Sequence, residues 1–330
     1  MDSREPKISV ILKIAQMSKS LTITIDSLRN QTVSRDIELV LLTTMTEVSA
    51  LQHETGGDFY RIEIVMIDDQ LHEGEYKVAG ISRATAPLIM FMEDHSYADS
   101  RCLEQIIKIH ERSACAAVGP QVLNANPGSA VGWGCYLVFY GQWGYPQPEG
   151  RNEHLPANQS CYKRTILEDN AEGLADKMKT ESVFHWDLIN RGHKLILSDS
   201  AQLYHMNTSR LQILLHEYYL NSMIFAVSRF PKKARLKRLL YIIGAPFIPV
   251  VRFVRVARMY RTVKIPALAI LSSLPSLLLC LSAGALGEAV GYSVGDREAT
   301  DRLNKLLGNP DKLIKSRDLE EASRIVRGDS

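Results

Sequence analysis

Cysteine is scarce in this chain and never arranged in pairs. Its five residues (Cys102, Cys115, Cys135, Cys161 and Cys280) are odd in number and form no CxxC motif. That excludes a disulfide framework or a zinc ribbon and fits a reducing, cytosolic setting. Glycine is missing from KIAQMSKS, residues 13–20, which follows the first strand-like run. The glycine-rich phosphate loop usual in a nucleotidyltransferase is therefore absent, which counts against that class. Strong net charge is missing as well. The 330 residues carry a net charge of +2, with 45% hydrophobic and 23% charged side chains, so no dedicated nucleic-acid binder is expected. Internal repeats and low-complexity tracts do not occur. The polar start MDSREPK leads directly into ISVIL, and no signal peptide is expected.

Long hydrophobic runs are present near the other end. Residues 265–287 (IPALAILSSLPSLLLCLSAGALG) carry no charge over 23 positions, enough to span a bilayer. Residues 239–251 (LLYIIGAPFIPVV) form a shorter run, expected to be too short to span. Basic residues flank both: Arg229, Lys232, Lys233, Arg235, Lys237 and Arg238, then Arg252, Arg255, Arg258, Arg261 and Lys264. This combination predicts contact with anionic lipid of the cytoplasmic leaflet. Pro266 and Pro275 leave two topologies open, a kinked single span or a re-entrant hairpin.

Ahead of these runs, strand and helix signals alternate. Residues 8–14, 38–42, 61–67 and 88–92 read as strands, and 116–118 as a fifth. Helical spacing appears at Leu21, Ile25 and Leu28, across 77–86, and across 102–112. An open α/β sheet follows from this rhythm. Ligands of such sheets bind at the carboxyl ends of strands, where Glu93-Asp94-His95 stands. Residues 124–156 are rich in Gly, Pro and aromatics and read as loops and a hairpin lining a cleft. Trp133 and Trp143 there would either stack on a sugar face or pack in a core. Residues 181–191 read as a helix, 194–197 as extended chain and 211–230 as a long amphipathic helix, with charged amphipathic helices over 296–330.

The order of these elements resembles the family-2 glycosyltransferases, whose fold is GT-A. The resemblance is carried by ISVIL (8–12), TIDSLRNQT (24–32), ELVLL (38–42), KVAGISRATAPLIMFMEDH (77–95), LPANQSCYKRTIL (155–167) and TESVFHWDLINRGHKLILSDSAQLYH (180–205). It implies a GT-A, Rossmann-like mixed sheet flanked by helices over residues 1–206. An amphipathic helical linker (207–237), a membrane-associated or transmembrane segment (238–292) and a charged helical tail (293–330) would follow. Two donor-side segments depart from the pattern. Lys13-Ile14-Ala15-Gln16 replaces a Pro-Thr-Tyr-Asn-like stretch, and Thr43-Thr44 stand where an Asp usually ends the second strand.

Sugar transfer from a nucleotide diphosphate needs a stabilised leaving group and a base for the acceptor hydroxyl. A divalent cation, Mn²⁺ or Mg²⁺, meets the first need. Glu93, Asp94 and His95 are the candidate metal or diphosphate ligands, and strand geometry would point Glu93 and His95 the same way. The resemblance adds His205 to them, puts the catalytic base at Glu181, and places Lys77, Lys13 and Thr43 on the donor side. Asn158, His185 and Trp186 fall on the acceptor or sugar side. The expected activity is transfer with inversion from a nucleotide-sugar donor to a glycan or lipid-linked acceptor. Its setting would be envelope or extracellular polysaccharide synthesis at the cytoplasmic membrane, with the catalytic domain facing the cytosol. A catalytically impaired GT-A domain serving as a membrane scaffold or binding protein is the alternative.

Overall fold

Short, largely apolar runs such as ISVILKI and LIMFM suit strands covered on both faces, and the chain makes them the buried strands of a sheet. The computed structural model describes residues 5–45, 48–68, 70–230, 234–296, 298–308 and 310–327. Two units are distinguished, Met1–Leu123 with Gln147–His205, and Asn124–Pro146 with Met206–Ser330.

The first unit begins with β1 (Ile8–Ile14), α1 (Lys19–Arg29), β2 (Ile37–Thr43), α2 (Ser49–Glu54), β3 (Arg61–Met66) and α3 (Glu73–Arg83). It continues with β4 (Leu88–Met92), β5 (Ser96–Ala98), α4 (Cys102–Arg112) and β6 (Ala117–Asn124). After α5 (Ala130–Phe139), which belongs to the second unit, come β7 (Gly150–Arg151), β8 (Cys161–Lys163), α6 (Arg164–Glu168), α7 (Leu174–Met178), α8 (Glu181–Asn190) and β9 (Leu195–His205). Local chemistry sets several boundaries. Ser18 Oγ accepts the Leu21 N–H at 3.1 Å to start α1, and His72 with Glu75 forms a capping box at α3. Gly192, at φ +86°, follows α8 in the left-handed region that stops a helix.

The strands join in the order β3-β2-β1-β4-β8-β6-β9-β5, with β7 paired to β9. Strands β1 to β4 are parallel, and β8 runs antiparallel between β4 and β6. This is the expected mixed α/β sheet flanked by helices. Lys13 lies beside Leu42 and Leu12 beside Met92. Lys13, Thr43 and Glu93 therefore arrive at one carboxyl edge, as the parallel arrangement requires. Glu38 is the charged residue among the mostly apolar side chains of β2. Buried there, it takes hydrogen bonds from Thr85 N at 2.6 Å, Thr85 Oγ1 at 2.8 Å and Ser9 Oγ, and an ion pair from Arg61 at 2.6 Å. Burial pushes its pKa up, but these partners outweigh it and hold the carboxyl below the usual range.

In the second unit, α5 is followed by α9 (Leu211–Arg229), α10 (Arg235–Gly244), α11 (Ile248–Met259), α12 (Ala267–Val294), α13 (Ala299–Leu307), α14 (Pro310–Leu313) and α15 (Ser316–Arg327). Helix α12 lies so close to α9 that a Cβ on Gly287 would stand 2.3 Å from the Tyr219 carbonyl oxygen. Only glycine fits there.

Two expectations need correcting, and for Trp133 and Trp143 the core alternative is the one observed. Residues 130–139 are a helix rather than loop or hairpin, because Ser129 Oγ caps Gly132 N at 3.0 Å and the apolar face packs on α12. Trp133 and Trp143 are buried core residues of the second unit, and the Trp133 indole donates to the Pro127 carbonyl at 2.8 Å. The run at 239–251 belongs to a longer helical stretch, Arg235–Met259, which with Ala267–Val294 is long and apolar enough to cross a membrane. Pro275 sits inside α12 without ending it. Lys232 and Lys233 lie outside the described residues.

Candidate functional site

The carboxyl edge of β4 gathers side chains from three segments of the first unit, 93–95, 158–159 and His205. The chain turns immediately after Met92, so strand geometry does not continue through Glu93-Asp94-His95. The turn nevertheless brings Glu93 and His95 together, with His95 Nε2 4.0 Å from Glu93 Oε2. At the end of β9, His205 places its Nε2 2.9 Å from the same oxygen. The two imidazole rings meet edge to face at 4.9 Å. One ligand atom from each of Glu93, His95 and His205 lies within 4.8 Å of the others. Adjacent ligands of an octahedral ion with bonds of about 2.1 Å are about 3 Å apart, so this donor set can close further around a divalent cation.

Asp94 differs from its expected place beside Glu93. Its Oδ1 lies 2.8 Å from His95 Nδ1, behind the ring, and so favours the tautomer that carries its proton on Nδ1 and its lone pair on Nε2. A carboxylate behind a ligating histidine is the usual outer support of a metal site. Glu93 is held from the other side. Gln159 Nε2 donates to Oε2 at 2.8 Å and Asn158 Nδ2 to Oε1 at 3.3 Å. The side-chain oxygens of Asn158 and Gln159 are buried and have no hydrogen-bond partner among the described residues. Two unmatched acceptors beside a carboxylate suit a cation or a hydroxyl-rich ligand.

Asn158 connects this cluster to a second one. At φ +58° it occupies the left-handed region, which asparagine tolerates better than most residues. That conformation aims its N–H at Glu181 Oε1, 2.9 Å away. Lys77 Nζ donates to the same oxygen at 2.5 Å and to Glu73 Oε1 at 2.6 Å. The Tyr162 hydroxyl donates to Glu181 Oε2 at 2.8 Å. His185 Nδ1 accepts the Leu155 N–H at 3.3 Å, which leaves the proton on Nε2, 2.6 Å from the Tyr162 oxygen. A directed chain results, from His185 to Tyr162 to Glu181.

The side chains of Lys77 and Glu181 are both fully buried. Burial would raise the Glu181 pKa, but the Lys77 ammonium and the hydrogen bonds outweigh it and hold the carboxyl below its usual range. Burial likewise works against the Lys77 charge, and Glu181 with Glu73 overturns that, so the lysine pKa rises. Glu181 is thus ionised, as a base must be, with three of its roughly four lone-pair positions engaged.

Lys77, expected beside a diphosphate, instead neutralises this buried pair. Lys13 sits with Nζ 4.7 Å from the centre of the Tyr76 ring. Thr43 is buried, and its hydroxyl accepts the Met45 N–H at 3.0 Å. Trp186 is half-buried and lies about 100° around α8 from His185, so the two do not share a face. Tyr162, Gln159 and Glu73 were not anticipated. Tyr162 stands in the short strand CYK, and no local pattern distinguishes it from a core tyrosine.

His185 and His110 give the first unit an acid-sensitive core. Burial pushes each imidazole from 6.5 down to about 4. The unfolded chain therefore binds more protons than the folded one between those values. Stability is expected to fall as pH drops from about 6.5 to about 4, by on the order of 3 kcal/mol per ring. Urea unfolding midpoints across that range measure it, and replacing either histidine with glutamine should flatten the slope.

No family model and no curated protein matches the chain. Among solved structures, GalNAc-T7 with UDP, GalNAc and Mn²⁺ aligns with 62% of this chain and 44% of its own, at 12% identity and a TM-score of 0.47. S. aureus TarS aligns with 88% of this chain and 55% of its own, at 12% identity and a TM-score of 0.47. The chain thus spans about half the length of each.

Proposed function

We propose that this chain is a glycosyltransferase of GT-A type. It transfers a sugar, with inversion, from a nucleotide-diphosphate-sugar donor to a glycan or lipid-linked acceptor. Its place is the cytoplasmic membrane, catalytic unit toward the cytosol, in envelope or extracellular polysaccharide synthesis. One observation carries the reading: Glu93, His95 and His205 converge on a common point at the carboxyl edge of the parallel strands. A bound Mn²⁺ or Mg²⁺ supplies charge neutralisation for the leaving diphosphate there, and two imidazoles favour Mn²⁺.

The chain's own residues divide the remaining work. Asp94 orients His95, and Gln159 and Asn158 hold Glu93. The unmatched oxygens of Asn158 and Gln159 accept hydroxyl protons of the sugar. Lys13 and Thr43 border the donor side and Trp186 the acceptor side, while the buried His185 acts on Glu181 through Tyr162. The acceptor oxygen bonds to the anomeric carbon while the bond to the diphosphate oxygen breaks. The acceptor proton passes to Glu181 through the remaining lone pair of its carboxylate.

The second reading, a GT-A domain that binds without transferring, is favoured by one fact. Glu181 is enclosed and ion-paired with Lys77. A nucleotide-sugar hydrolysis and transfer screen with Mn²⁺, Mg²⁺ and lipid extract separates the two. Turnover that falls about 10²–10⁴-fold in Glu181→Gln while donor binding persists supports the enzyme. Donor binding without turnover in the wild type supports the binding protein.

A further inference from the structure

Two exposed apolar stripes run along the second unit. On α10, α11 and the 3-10 turn that joins them (Ala245–Phe247), Leu236, Leu240, Ile243, Phe247, Val250 and Val254 follow a spacing of four and three and are 42% to 71% exposed. On α12, Leu268, Leu271, Leu278, Leu279, Leu286 and Val294 share the outer side and are 47% to 77% exposed. Such contiguous apolar surface marks a partner. The charge around it says which. From Tyr218 to Gly287 the sequence has eleven Lys and Arg and no Asp or Glu.

The inner side of α12 is covered from end to end. Ser276 Oγ donates to the Ala130 carbonyl of α5 at 3.4 Å, and a Cβ on Gly291 would lie 2.6 Å from the Met223 carbonyl oxygen of α9. Inward-facing arginines pin the other two helices down. Arg238 donates to the Gly291 carbonyl at 3.0 Å, and Arg252 reaches the Tyr218 hydroxyl at 3.0 Å and the Glu288 carboxylate. Helix α9 in turn carries α13, where Arg302 lies 3.5 Å from His216. If α12 crossed a bilayer, α9 and α13 would enter hydrocarbon with Glu217, Asp301, Arg302 and Lys305, a costly burial of charge.

We propose that α10, α11 and α12 lie in the plane of one anionic leaflet and that none of them crosses it. The two stripes enter the boundary between headgroups and acyl chains, and exposed Arg235, Lys237, Arg255, Arg258, Arg261 and Lys264 meet the anionic headgroups. This rests on the membrane location proposed above and replaces a span with a monotopic mode of attachment.

The test uses the full chain on vesicles of phosphatidylcholine with or without phosphatidylglycerol. All five native cysteines are buried, so single introduced cysteines take a fluorophore selectively. Labels at Leu268→Cys, Leu278→Cys and Leu286→Cys should all report a similar shallow depth of about 5–10 Å. Arg255→Gln with Arg258→Gln should weaken partitioning onto anionic vesicles about tenfold to thirtyfold. A label at Leu278→Cys near the midplane, with the other two in opposite leaflets, overturns the proposal. Equal binding to both vesicle types, or to neither, does so as well. Donor hydrolysis in detergent reads the catalytic unit separately, so a failed membrane mode and a failed enzyme reading are told apart.

Discussion

Lys77→Met should destabilise the protein by about 3–5 kcal/mol at neutral pH, the usual consequence of removing one partner from a buried ion pair. The ammonium lies between two carboxylates, Glu73 and Glu181. Without it, Glu181 remains ionised in a closed interior, held only by the Asn158 N–H and the Tyr162 hydroxyl. Burial then raises the folded pKa of Glu181 above its unfolded value. The Glu181 contribution is greatest below the unfolded pKa and is lost as pH rises. On acidification toward pH 5 the variant should therefore lose less stability than the wild type, since His110 and His185 destabilise both proteins alike. Glu181→Gln is the informative contrast. Lys77 keeps Glu73, and the amide oxygen still accepts a hydrogen bond, so the stability cost should be only about 1–2 kcal/mol. The double variant should be more stable than Lys77→Met alone, and chemical denaturation of all four proteins measures the coupling. Additive losses would mean that the pair does not interact as the geometry shows.

The second large effect is expected at the metal corner. Glu93→Gln or His205→Ala should weaken Mn²⁺ binding by about a hundredfold or more, and Asp94→Asn by about tenfold to a hundredfold. The ordering follows from position. Glu93 and His205 offer atoms to the common point, whereas Asp94 acts through the back of the His95 ring. Titration of the purified protein with Mn²⁺, followed by paramagnetic resonance of the free ion, gives the constants. If Asp94→Asn cost more than Glu93→Gln, the assignment of ligand and supporting residue would be reversed.

The two predictions draw on different depths of the sequence. Glu93 and His95 could be read in advance because they directly follow the apolar strand β4, whereas His205, at the end of β9, is legible only through the family resemblance. β1, β4 and α4 could also be read to the residue, since their apolar spacing switches cleanly between the sheet and helix periods. The enclosure of Glu181 could not be read. Its cation lies 104 residues away, and nothing local to either residue encodes a contact that depends on α7 packing against both α3 and α8. α5 was hidden for another reason. Gly132 and Gly134 look like turn residues, yet a Cβ on Gly134 would stand 2.3 Å from Ser276 Oγ. The glycine serves close helix packing instead.

The passage of the chain through α5 bears on how the protein can be divided. The sheet unit is completed only after the chain has contributed 124–146 to the helical unit and come back. No single cut therefore separates the two. A polypeptide ending at His205 would have every strand of the sheet but would keep α5 without the α9 and α12 that cover it. Cys135, Leu137 and the rest of that helix would then face water, an invitation to aggregate. Expression of the sheet unit alone calls for replacing 124–146 with a short polar linker, and the solubility of that version against the simple truncation gives a direct measure of how strongly α5 depends on its partners.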